Sequence, residues 1–152
     1  MRPAAPALGL ILAAAACSRA ARDPVRAMLD ELAAAAEARD ADRALARISD
    51  RFQGRGAASK AEIATTLRRY FAAYESIGIE LHGVEVDHED GTARIRCVVA
   101  FSGQARKAFG LEGLLPPSAA YRFELEAANE NDTWRVTRAA WEPAEAASPA
   151  AP

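Results

Sequence analysis

The hydrophobic pattern of the chain changes period once, near residue 79. Before that point apolar residues recur every three or four positions; after it they alternate. Asp23-Pro24 opens the first helical stretch, with a carboxylate at the N-cap and proline at the first helical position. Val25, Met28, Leu29, Leu32 and Ala36 give this helix one apolar face. Arg39-Asp40-Ala41-Asp42 interrupts the spacing and offers a fresh cap. Leu45, Ile48 and Phe52 then predict a second, shorter helix ended by Gly54-Arg55-Gly56. Ser59-Lys60-Ala61-Glu62 is a capping-box pattern. Ile63, Leu67, Tyr70 and Tyr74, with Phe71 beside them, predict a third helix reaching about Ser76, where Ile77-Gly78 turns the chain.

Four strands follow. Ile79 and Leu81 share a face, then Val84 and Val86 do, and the slip in phase at His82-Gly83 predicts a bulge. His88-Glu89-Asp90-Gly91 is a turn. Ala93, Ile95, Cys97, Val99 and Phe101 alternate with Arg94, Arg96, Val98, Ala100 and Ser102, which predicts a long strand with one apolar face. Tyr121, Phe123, Leu125 and Ala127 repeat that alternation against Arg122, Glu124 and Glu126. Asn129 to Thr133 turns the chain into a last strand, Trp134 to Trp141. Residues 143–152 are Ala, Pro, Ser and Glu with nothing large to bury, and read as a disordered tail. The segment 104–118, with Phe109, Leu111, Leu114 and Leu115, is apolar for a loop. It suits packing over an open end of the core, or a role in contacting a partner.

Composition alters this picture at the N-terminus. Arg2 gives a basic start, Leu8 to Ala16 is uncharged and apolar, and small residues lead directly to Cys17. The run is too short for a permanent membrane span and has the layout of a secretory signal. It resembles a bacterial lipoprotein signal, in which the cysteine is lipidated and becomes the mature N-terminus. Ala14 stands where that pattern prefers leucine. Ordinary signal cleavage, or an alanine-rich extension from a misassigned start, fits the same residues. The resemblance implies residues 1–17 as leader, a tether at 18–22, a domain at 23–142, and a membrane anchor at Cys17. Ser18 after the cysteine suits the periplasmic side of the outer membrane.

The mature chain of about 136 residues has room for one core. Net charge is −2 and no basic stripe carries interleaved aromatics, so nucleic acid is not an expected partner. With Cys17 lipidated, Cys97 has no disulfide partner. His82 and His88 lack a nearby cysteine cluster, so neither a metal nor a cofactor is expected. Ser49, Ser59 and Ser102 lie in no nucleophile motif. His82, at the bulge, is the residue to check for acid–base chemistry.

The order of elements resembles the nuclear transport factor 2-like, or SnoaL-like, cone fold. The resemblance is carried by the paired helices around Ala33-Glu37-Asp40-Leu45, the capped helix from Ser59, the hairpin Val84-Glu85-Val86 and Ala93-Arg94-Ile95, and Trp134-Arg135-Val136. It implies an α+β domain in which a curved antiparallel sheet of about four strands wraps around three N-terminal helices and encloses an apolar cavity. The cavity candidates are Tyr70, Tyr74, Phe101, Tyr121, Phe123 and Trp134. Enzymes of this fold use an acid–base group inside the cone, whereas the inward strand positions here are nearly all apolar. The expectation is therefore a non-enzymatic envelope protein that binds a small apolar ligand or a protein partner. An isomerase or dehydratase, and an interaction module using segment 104–118, are the alternatives. Arg94, Arg96, Arg122, Glu124, Glu126 and Arg135 should share the outer sheet face, by cross-strand pairing or as a docking surface, including for a second copy of the chain.

Overall fold

The helix starts are those the sequence predicts. In the computed structural model, which describes residues 22–106 and 118–144, α1 spans Pro24–Glu37. Asp23 caps it, its Oδ1 accepting the Val25 N–H at 2.9 Å. α3 spans Lys60–Ala73 behind a complete capping box: Ser59 Oγ accepts from the Glu62 N–H, and Glu62 Oε2 accepts from the Ser59 N–H. The predicted leader with Cys17, nearly all of the predicted tether, residues 107–117 and the predicted tail from 145 lie outside the described residues. No helix among the described residues is long and apolar enough to cross a membrane.

The predicted second helix is corrected. α2 covers only Ala41–Leu45, and Ile48–Gln53 is a strand, β1. The spacing of Leu45, Ile48 and Phe52 suits a helix, but a five-residue helix has little stability of its own. Pairing with the last strand decides the conformation: Ile48 aligns with Val136, whose N–H donates to the Arg47 carbonyl at 2.9 Å. Gly54-Arg55-Gly56 leads into a single 3₁₀ turn, Arg55–Ala57.

The third helix is shorter than expected. It ends at Ala73 and passes without a turn into β2, Tyr74–Glu89, so Ile77-Gly78 lies inside a strand. The predicted bulge is present: the register of β2 against β3 shifts between His82 and Glu85, with Gly83 at φ +57°. β3 is Thr92–Ala105, β4 is Ser118–Glu130 and β5 is Thr133–Pro143. His88 belongs to β2 and not to the turn, which is reduced to Asp90-Gly91. Asn131-Asp132 joins β4 to β5. Both residues of each turn have positive φ, as two-residue hairpins require. β5 runs through Pro143, the first residue of the predicted tail.

The strands form one sheet in the order β1-β5-β4-β3-β2, antiparallel except for β1, which lies parallel to β5. The predicted antiparallel sheet of four strands is thus present, with a short parallel strand added at one edge. Along β3 the period of two is clear: Ala93, Ile95, Cys97 and Val99 are buried, while Arg94 and Arg96 are exposed. The buried face meets α1 through Val25 and Met28, and Leu45, Phe52, Leu125, Val136 and Ala139 complete the core. Val25 and Ile95 are fully enclosed. Each large aliphatic side chain so buried contributes roughly 1.5–3 kcal/mol.

Candidate functional site

The sheet has two unlike ends. At the hairpin end lie the two tight turns and the start of α1. At the other end, the mouth, β2 and β4 begin and β3 and β5 finish. The end of α1 also reaches the mouth, since the Glu37 carboxylate accepts the Ile79 N–H at 3.0 Å and Arg39 donates to the Tyr74 carbonyl at 3.1 Å.

Aromatic side chains gather at the mouth. Phe101 and Tyr121 meet edge to face with ring centroids 5.8 Å apart. Phe123 stacks on Trp141 at 5.9 Å. The Tyr74 ring lies over Gly103, where an added Cβ would come within 3.0 Å of it, so the missing side chain makes room for the ring. Burial pushes the Tyr74 phenol up, and the nearby Tyr70 and Tyr121 phenols add to the shift. Those three tyrosines are therefore neighbours, contributed by α3, β2 and β4. Tyr70 is the outermost, 44% exposed. It rims the mouth, whereas Tyr74, Phe101, Tyr121 and Phe123 are half-buried.

Trp134, the sixth predicted cavity residue, is elsewhere. It pairs with Asn129, eight residues along β4 from Tyr121, or roughly 26 Å of strand. Its neighbour is His88, edge to face at 5.8 Å. His88 Nε2 lies 2.9 Å from Asp23 Oδ2, so one aspartate both caps α1 and holds an imidazole. Burial pushes the Asp23 carboxyl up, but the His88 bond, the Val25 N–H and the His88 charge together outweigh it and leave the group below its usual range. Sequence reading placed His88 in a turn and missed this pair, whose members are 65 residues apart. His82 is exposed, with Nε2 3.2 Å from Glu80 Oε2, a carboxylate that is itself largely in solvent. Cys97 is buried, and burial pushes its thiol up, away from the nucleophilic thiolate.

A second polar cluster sits where β1 meets the β4–β5 hairpin. Ser49, only 1% exposed, donates its hydroxyl to Glu130 Oε1 at 2.6 Å. Arg51 Nη2 donates to the same oxygen at 3.1 Å. Arg135 donates to the Glu130 and Ala46 carbonyls, both at 3.2 Å. Arg135 keeps its expected outer-face position, next to the buried Val136, and its guanidinium reaches across to the β1 junction. The Ser49 and Arg51 hydrogen bonds hold the Glu130 carboxyl below the usual range. A general base works best with its pKa near the operating pH, so this shift makes Glu130 a poor base for Ser49. Ser59 is occupied by its capping role.

The junction lines an open depression of about 870 Å³ with Asp50, Lys60, Asn129 and Asn131. A smaller pocket of about 220 Å³ lies beside Arg55, Arg122 and Glu142. The first is polar and lies away from the aromatic mouth; the second borders the mouth at Trp141. Among the described residues no three His, Cys, Asp or Glu side chains converge as metal ligands. On the outer face Arg96 bonds Glu85 at 3.1 Å and Arg122 bonds Glu142 at 3.1 Å, the cross-strand pairing expected there.

No protein-family model matches the chain, and none of the curated proteins is similar to it in sequence. Solved structures are similar in fold. A provisionally named dehydratase of the nuclear transport factor 2-like family from Streptomyces avermitilis has a TM-score of 0.68 at 15% identity, over 81% of this chain and 95% of its own. A provisionally named scytalone dehydratase from Novosphingobium aromaticivorans has a TM-score of 0.69 at 11% identity, over 80% of this chain and 82% of its own. Bd1075 of Bdellovibrio bacteriovorus has a TM-score of 0.66 at 12% identity over 79% of this chain, which spans 40% of that longer protein. The α+β domain therefore has the nuclear transport factor 2-like cone fold. At these identities the likeness defines the fold and leaves the activity to the residues.

Proposed function

We propose that this protein is a non-enzymatic binding protein of the cell envelope, anchored through a lipid on Cys17 on the periplasmic side of the outer membrane. Its aromatic mouth holds a small apolar ligand or an apolar surface of a protein partner. The observation that carries the reading is the cluster of Tyr74, Phe101 and Tyr121: half-buried rings from three strands, whose polar tips are phenol hydroxyls, with Arg39 and Arg106 bonded to the Tyr74 carbonyl. Such rings give apolar contact area with a few polar tips to orient a ligand. Burial moves the Tyr74 proton further from physiological titration, which suits binding better than proton transfer.

The test has two parts. Mass spectrometry of the mature protein should find an acylated N-terminal Cys17; an unmodified N-terminus elsewhere contradicts the anchor. The uncharged fluorophore N-phenylnaphthylamine should bind the purified domain saturably, and Tyr74→Ala with Phe101→Ala should abolish that binding. Unchanged binding by the double variant contradicts the site.

A dehydratase or isomerase is the second reading, favoured by the His88–Asp23 pair beside Trp134. Turnover of a hydroxylated cyclic ketone that is lost in His88→Ala, while the fold persists, would establish it in place of the binding role.

A further inference from the structure

We infer that the depression at the β1 junction is a second binding site, independent of the aromatic mouth, and that it takes an oxyanion group, a carboxylate or a phosphate. Three cationic side chains, Arg51, Lys60 and Arg135, line it against two carboxylates, Asp50 and Glu130, which leaves one positive charge in excess in a chain of net charge −2. The two carboxylates are not equivalent. Glu130 is 20% exposed and fixed by Ser49, Arg51 and Arg135, so it belongs to the scaffold. Asp50 is 96% exposed and touches the depression through one contact, 2.8 Å to Lys60 Nζ. Lys60 is the sheltered partner, 28% exposed at the first position of α3. The Lys60 side chain is thus sheltered by the fold, while the partner bonded to its ammonium is a solvent-borne side chain that an incoming anion can replace. Arg51, 78% exposed, gives one N–H to Glu130 and keeps other donors for a second oxygen. An oxyanion bridging Lys60 and Arg51 would exchange one exposed pair for two charge-assisted contacts.

The experiment is an amide and side-chain NMR titration of the purified domain with inorganic phosphate and, separately, with succinate. Sodium chloride holds the ionic strength constant. Saturable shifts at Arg51, Lys60 and Asn131 with either anion support the site, and the anion that binds tighter assigns its source. Lys60→Ala should weaken binding by roughly tenfold or more, the value of one hydrogen bond to a charged group. Asp50→Asn should tighten it, since the competing carboxylate is gone; its side chain is too exposed to threaten the fold. Shifts that grow linearly and equally with chloride alone would overturn the inference. So would an Asp50→Asn variant that binds no better than the parent.

Discussion

At the hairpin end of the sheet, polar groups are spent on one another; at the mouth, aromatic rings are left half covered. Ser49, Glu130, Arg135 and the Asp23–His88 pair satisfy each other within a few residues of the tight turns. Among the described residues no buried side-chain nitrogen or oxygen lacks a partner. At the mouth, Phe101 and Tyr121 meet edge to face, Tyr74 lies over Gly103, and all three keep partial exposure. The first arrangement fixes geometry, because removing one member strands the others. The second leaves apolar surface whose burial awaits something else. The polar pairs of the hairpin end thus hold the sheet's shape, while the mouth offers apolar surface to a ligand.

The largest expected effect is in the core that both ends share. Ile95→Ala should cost roughly 2–5 kcal/mol in chemical denaturation, from lost burial plus the cavity left behind. Ser49→Ala comes next. It removes the hydroxyl donor from a mostly buried Glu130, and should cost about 1–3 kcal/mol. Asp23→Ala removes both the cap of α1 and the His88 contact; about 1 kcal/mol is expected for the cap. Tyr70→Ala should cost least of the four, since the residue is 44% exposed at the rim of the mouth. If Tyr70→Ala destabilised as much as Ser49→Ala, the contrast between the ends would fail.

Acid should weaken the hairpin end. Asp23 and Glu130 both have carboxyls held below their ordinary range in the folded state. Their stabilising contributions are therefore complete above the unfolded carboxylate pKa. They are lost as the pH falls through the lower folded values. Glu130→Gln should flatten the acid limb of the stability curve, read by thermal melting across a pH series. An unchanged acid limb would mean that Glu130 is not the anionic centre of its cluster.

Legibility in the sequence follows the range of the interaction. The caps of α1 and α3 lie within three residues of their partners and could be read directly. β3 showed its alternation because its inner face is buried while its outer face carries Arg94 and Arg96. β1 was hidden because its conformation depends on parallel pairing with a strand nearly ninety residues away, and the local spacing of Ile48 and Phe52 suits a helix equally well. The end of α3 was misplaced because Tyr74 continues the helical spacing of Ile63 and Leu67, although its backbone is already extended. Part of the aromatic mouth was legible from alternation along β3 and β4. Alternation assigns a face and not a depth, which is why Trp134 falls in one group with Tyr121, about 26 Å away along the sheet. The Ser49–Glu130 bond, which spans 81 residues, left no local trace at all.

The most direct test is side-chain NMR of the domain during titration with N-phenylnaphthylamine, comparing aromatic signals at the two ends of the sheet. Saturable shifts at Tyr74, Phe101 and Tyr121, with His88 and Trp134 unmoved, are the predicted result. Shifts confined to His88 and Trp134 would place the ligand at the hairpin end and contradict a binding mouth.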